Sequence, residues 1–171
     1  MLNSVNGKRE TMEAIFPIVK KYGAVVVALL LDEEGIPDNA DKRIEIAKKI
    51  YATADEYGIS HDDIVFDGLA MTVSSDPHSA LVTLETIRRI RDELHGHSIL
   101  GVSNISFGLP QRSILNANFF TMAMQNGLSC AIVNPNTKAM MDSYRAFNAL
   151  MNYDTNFTDY IEAYANVESA P

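Results

Sequence analysis

Five times along the chain an apolar, β-branched run ends on Asp or Asn: Leu2-Asn3, Val25 to Asp32, Ile64 to Asp67, Ile99 to Asn104 and Ala131 to Asn134. A carboxylate accepts hydrogen bonds and an amide both accepts and donates, so side chains of these types recognise a polar small molecule when they are gathered together. Parallel strands alternating with helices bring their ends to one rim. The pattern therefore predicts a crescent of hydrogen-bonding groups beside a pocket. Three of the five have a second reading as turn formers: Asp32 ahead of Gly35-Ile36-Pro37, Asn104, and Asn134 ahead of Pro135.

The elements that must position these residues repeat as strand then helix. Four helices are expected to end at Gly23, Gly58, Gly96 and Gly127, each followed within a few residues by the next apolar run. Met12, Ile15, Phe16 and Val19 share one face of the first helix, and Ile44, Ala47, Tyr51 and Ala54 one face of the second. Asp76-Pro77 reads as a helix start ahead of Leu81, Leu84, Ile87 and Leu94. Pro17 interrupts a helical pattern and is expected to kink that helix or begin a new turn. Met122, Met124, Met140, Met141 and Met151 read as helical core, and Cys130 as a core residue opening a strand.

A chain of 171 residues, 47% apolar, can bury one good core and predicts a single domain over residues 1–151, followed by an acidic tail over 152–171 with a short helix around Thr158 to Tyr164. The longest apolar stretch, Ala24 to Leu31, is far short of the roughly 20 residues of a membrane span, and Lys8-Arg9 after Gly7 does not fit a signal peptide. A cytoplasmic protein without a membrane partner is expected. The lone Cys130 can form no internal disulfide and supplies no thiolate-rich zinc site. No metal is expected; His95 and His97 read as solvated at a helix end. A formal charge of −8 without clustered cations argues against nucleic acid.

Alternating strands and helices imply a parallel sheet with right-handed crossovers. Five units suit an open, flavodoxin-like sheet, but the chain opens on a strand end with almost no strand before it, as though it starts inside a larger fold. In one order along the chain stand Asn3-Ser4-Val5, Lys20 to Val26, Asp32-Glu33-Glu34-Gly35-Ile36-Pro37, Ile64-Val65-Phe66-Asp67, Gly101-Val102-Ser103-Asn104-Ile105-Ser106 with Arg112, and Ala131-Ile132-Val133-Asn134-Pro135. From Asn3 to about Met151 this ordered set resembles the pterin-binding domain of the methyltetrahydrofolate methyltransferases, the group that includes the folate domain of cobalamin-dependent methionine synthase and the corrinoid iron-sulfur protein methyltransferase. The resemblance implies an α/β fold, a partial (β/α)8 TIM barrel of which five parallel units match the fourth to eighth. A five-stranded arc leaves two edges and an inner face uncovered, so self-association or an upstream barrel half is expected to complete it.

By resemblance, Asn3 and Asp67 are pterin anchors, Gly101, Ser103 and Arg112 line the same pocket, and Asn104 is the catalytic residue beside N5. A reduced pterin presents its N3–H and 2-amino group as a fork that a carboxylate accepts. Methyl transfer from N5 of 5-methyltetrahydrofolate is difficult because an unprotonated amine leaves poorly, and a hydrogen-bonding side chain that holds the protonated form lowers that barrier. The acceptor implied is cobalamin, a corrinoid carried by another domain or protein. The sequence itself has no corrinoid motif: Asp76 and His78 begin one, but Leu81 occupies the required glycine position. It also departs from the family pattern, with no counterpart of a third-strand pterin-contacting Asp, with Gly68 where Asp-Pro is common, and with Phe107 where some members carry a polar residue. A chain with an incomplete barrel is expected to be inactive alone. Two other classes remain: a dihydropteroate synthase-like enzyme, whose Lys and Arg-x-His near the last strands are not found here, and a non-catalytic open α/β module, which would shuffle the strand order.

Overall fold

The computed structural model describes residues 1–165. Its elements run β1 (Leu2–Asn6), α1 (Arg9–Tyr22), β2 (Val26–Leu29), α2 (Ala40–Glu56), β3 (Ile64–Asp67), α3 (Ser79–Leu94), β4 (His97–Gly101), α4 (Arg112–Gln125), β5 (Cys130–Ile132), α5 (Lys138–Leu150) and α6 (Thr158–Tyr164). All neighbouring strands are parallel and the order is β1-β2-β3-β4-β5. A right-handed crossover repeated in one direction puts every helix on the same side of the sheet, as in a barrel wall; a doubly wound sheet reverses direction and covers both sides. The sequential order therefore overturns the open flavodoxin-like alternative and gives the α/β arc of a partial TIM barrel.

The helix-covered side holds two cores. One joins α1 and α2 to β1, β2 and β3 through Met12, Phe16, Ile44, Ala47, Ile50 and Phe66. The other joins α3, α4 and α5 to β4 through Leu84, Ile87, Leu100, Phe119, Phe120 and Met140. Each such side chain, taken fully out of water, contributes roughly 1.5–3 kcal/mol. The opposite, inner face has its own small cluster of Val27, Val65 and Ile99, with Val25, Leu29 and Cys130 packed against it. Register arranges this face in rows: Asn3 beside Val27 and Val65, then Asn6 beside Leu29, Asp67, Ile99 and Cys130, then Gly101 beside Ile132.

Several sequence expectations shift at the level of the residue. β1 continues past Asn3, through an irregular step before Val5, to end at Asn6. Asp76-Pro77 forms a turn, with the His78 N–H donating to Asp76 Oδ1 at 2.9 Å, and α3 begins only at Ser79. Gly23 caps α1 in the left-handed region (φ 57°), but α3 is closed by His95 (φ 50°), not by Gly96. Gly96 is required by packing instead, since a Cβ there would lie 2.6 Å from Tyr51 Oη. α1 runs through Pro17 as one helix. Pro17 sits on the exposed face, where water can satisfy the Glu13 carbonyl that the ring leaves without its helical donor. Met140 is core, whereas Met122 and Met151 are exposed, as is Leu81. Beyond α5, buried Asp154 accepts from the backbone N–H groups of Asp159 and Tyr160 at the start of α6. Residues 166–171 of the acidic tail, Glu168 among them, lie outside the described residues.

Candidate functional site

Two polar residues, Asp67 and Asn104, lie at or just past the C-terminal ends of the central strands β3 and β4. Asp67 is the last residue of β3 and stands in the row of Ile99, one row below Gly101 at the end of β4. It is half-buried, and its Oδ1 accepts the Leu69 backbone N–H at 2.9 Å. Burial raises its pKa above the ordinary aspartate value, against the opposing pull of the Leu69 hydrogen bond and the Arg43 charge. A carboxylate with one oxygen tied to the backbone and the other untied is a built acceptor for a ligand donor.

The chain after β4 does not simply loop away. Val102–Ser106 form a 3₁₀ turn that carries Asn104 back over the strand end. Gly101 makes room for it: a Cβ at Gly101 would lie 3.2 Å from Asn104 Nδ2. The Asn104 amide is exposed and makes no hydrogen bond among the described residues. Its neighbours are held firmly. Arg112 donates from Nε to Ser106 Oγ at 3.0 Å and from Nη2 to the Ser103 carbonyl at 2.8 Å, and its guanidinium stacks 4.4 Å from the Phe107 ring centroid. The Phe107 carbonyl in turn accepts from Thr72 Oγ1 and Ser74 Oγ, both at 2.8 Å, which joins the β3–α3 connection to this turn. Arg112 and Ser103 thus act as struts of the segment that presents Asn104.

The remaining expected residues are placed less centrally. Asn3 lies on the inner face but in the row below Asp67, exposed on the edge strand. The tip of β1 is Asn6, whose Oδ1 accepts from Lys8 N at 2.9 Å and Thr11 Oγ1 at 2.8 Å, so it opens α1. Asp32 Oδ1 accepts from Glu34 N at 3.0 Å within an Asp32–Gly35 bridge, and Asn134 Oδ1 accepts from Asn136 N at 2.9 Å. These are turn hydrogen bonds of Asx type. Asp32 also borders a cavity of about 590 Å³ with Pro37, Lys42 and Lys49, at the β2–α2 connection, whose wall includes neither Asp67 nor Asn104. Among the described residues no three His, Cys, Asp or Glu side chains group as a metal site requires, and no helix is long and apolar enough to cross a membrane.

Sequence reasoning passed over Arg43. Only 2% exposed, it donates from Nε to the Pro37 carbonyl at 3.0 Å and from Nη1 to the Gly68 and Leu69 carbonyls at 2.6 and 3.2 Å. Burial lowers its pKa, and the charges of Asp67, Asp38 and Asp76 oppose that shift. A signal was present, because Arg43 heads the buried stripe Arg43, Ala47, Ile50 and Ala54 at helical spacing.

A sequential parallel arc of this kind is part of the wall of a β/α barrel, a fold whose ligand sites lie at the C-terminal strand ends. The chain belongs to the pterin binding enzyme family, whose sequence pattern matches residues 1–134. It is 32% identical over 176 residues to a methylcorrinoid:tetrahydrofolate methyltransferase of Eubacterium limosum, a match covering 100% of this chain and 64% of that protein. It is also 36% identical to the methionine synthase of Mycobacterium tuberculosis over 146 residues and 33% identical to that of Mycobacterium leprae over 147, in each case across 78% of this chain and 12% of the relative. The chain therefore spans less than two thirds of the length of these relatives.

Proposed function

We propose that this chain is the pterin-binding wall of a methyltransferase that moves a methyl group from 5-methyltetrahydrofolate to a corrinoid carried by a partner domain or protein. Two observations carry this reading: a half-buried, half-committed carboxylate, Asp67, ends β3, and an uncommitted amide, Asn104, stands beside the bare Cα of Gly101 at the end of the neighbouring strand. The two residue types match the two demands of the chemistry. Asp67 accepts the ring N3–H and amino group, orienting the pterin. The Asn104 side chain faces N5, where its carbonyl oxygen holds a proton on the amine as the methyl leaves. Asn3 contributes a further amide contact from the row below, while Arg112 and Ser103 keep the 3₁₀ turn in place. The reduced corrinoid, when its carrier docks, supplies the cobalt nucleophile.

The Eubacterium relative is named for transfer from methylcorrinoid to tetrahydrofolate, the opposite direction. One site serves both, since a group that stabilises the transition state accelerates passage either way. The chain's five strands leave the rest of a barrel wall to be supplied, so full activity is expected only with further β/α units from an upstream barrel half or a second chain. The test is titration of the chain, alone and joined to such units, with 5-methyltetrahydrofolate. Saturable binding that Asp67→Asn weakens and Asn104→Ala largely preserves supports the proposal. No binding in the completed protein refutes it.

A further inference from the structure

We propose that Arg43 is a positioning residue for the ligand site, acting through the Gly68–Leu69 backbone to fix the Asp67 carboxylate. The inference rests on Asp67 being the pterin acceptor, although its first readout does not. Arg43 is a buried cation whose described hydrogen bonds go to carbonyls alone: Pro37 in the β2–α2 connection and Gly68 and Leu69 just past β3. No carboxylate lies within ion-pair distance of it among the described residues. A buried charge held this way is a poor source of stability, because an apolar side chain of the same volume needs no desolvation. Its position in the fold calls for another reason.

That reason is Leu69. Its φ of 55° lies in the left-handed region, a conformation that a residue other than glycine adopts only at an energetic cost. The conformation is held from both ends. The Leu69 carbonyl accepts from Arg43 Nη1 at 3.2 Å and shares the Thr83 hydroxyl, 3.2 Å away, with the Ser79 carbonyl at 2.9 Å, while the Leu69 N–H donates to Asp67 Oδ1 at 2.9 Å. α2 and α3 thus grip one side of a strained residue, and the other side grips the carboxylate. Released, Leu69 relaxes toward an ordinary backbone conformation and its N–H turns from Asp67, freeing the carboxylate to change rotamer. The charged groups that face Arg43 are Asp67 itself, Asp38 from the β2–α2 connection and Asp76 from the β3–α3 connection.

The test uses the full chain and reads the Asp67 carboxyl titration by NMR without ligand, then the affinity for 5-methyltetrahydrofolate. Thr83→Val removes one hold on Leu69 and changes no charge; it is expected to move the Asp67 titration upward, by losing its backbone donor. Arg43→Met is expected to move it further and to weaken pterin binding by about tenfold or more. Leu69→Gly, which removes the strain, is expected to recover most of that affinity in the Arg43→Met background. An unmoved Asp67 titration in Thr83→Val overturns the proposal, and so does failure of Leu69→Gly to rescue a folded Arg43→Met. If Arg43→Met does not fold, Thr83→Val alone decides. Absence of pterin binding by the parent protein counts against the proposed function, while the ligand-free titrations still judge Arg43.

Discussion

Asp67 is asked to be partly buried and charged at once, and the conflict has a measurable sign. Its carboxyl pKa is raised by burial, so the folded chain holds the proton more tightly than the unfolded one. Stability linked to this group is complete below the ordinary aspartate value of about 3.9 and is lost as pH rises through the raised folded value. At neutral pH the native state therefore carries a strained charge. Asp67→Asn keeps an acceptor for Leu69 N–H and removes that charge, so it is expected to unfold at a higher temperature than the parent at pH 7. The advantage should shrink to nothing as pH falls below about 4; thermal unfolding of both proteins from pH 3 to 8 checks it, and an advantage growing toward acid contradicts it. On the proposed function the same substitution also loses the ligand fork, so stability and binding are expected to move in opposite directions. The role proposed for Asn104 is kinetic: Asn104→Ala is expected to lower single-turnover methyl transfer by about 10²-fold or more with a smaller change in pterin affinity. Gly101→Ala should act in the same direction, because its new Cβ would press on the Asn104 amide. Asp67 and Asn104 were legible because each follows an apolar run. Arg43 was not, since a basic letter in a helix reads as solvated unless its spacing to Ala47, Ile50 and Ala54 is weighed.

Elements were legible in order and type, and less so at their ends. The apolar runs and helical faces found all five strands and the helices between them, because burial on one side imposes period and length. Ends depend on hydrogen bonds between residues distant in sequence. β1 reaches Asn6 because β2 offers partners up to Leu29, and Asn3 alone could not announce that. Asn104 sits in a 3₁₀ turn because Arg112, eight positions on, ties down the Ser103 carbonyl and Ser106 hydroxyl. Pro17 was expected to kink or restart α1; no new helix begins there, and α1 carries the proline on its exposed face. Tolerance is not neutrality. Proline in a helix interior costs up to about 3 kcal/mol against alanine, through a lost N–H and a clash with the preceding turn. Pro17→Ala is expected to raise the unfolding free energy by about 1–3 kcal/mol with the ligand site unaffected. Denaturant unfolding measures it, and a lowered midpoint would show that the proline shapes α1 for its packing on β1 and β2.

At the scale of the molecule the sequential strand order leaves β1 and β5 each paired on one side only among the described residues, with an apolar inner face between them. The middle of that face protects itself: Val27, Val65 and Ile99 are almost fully buried by their own neighbours. The β5 side does not. Ile132, in the row of Gly101, is 57% exposed and Cys130 is half-buried, so an apolar strip runs beside an edge that pairs with no further strand among the described residues. A strand edge of this kind templates pairing with another strand, and charges placed on it are the usual deterrent. The chain by itself is therefore expected to associate, with a sedimentation-average mass above that of one chain and rising with concentration. Ile132→Lys puts an ammonium in the strip and should return the mass to that of a monomer while leaving the helix-side cores intact. Joined to the β/α units that complete a barrel, the parent chain should lose its concentration dependence, because β5 then has its neighbour. A parent chain that sediments as a single species at every concentration, with Ile132→Lys indistinguishable from it, would show that the arc closes its own edge and needs no second wall.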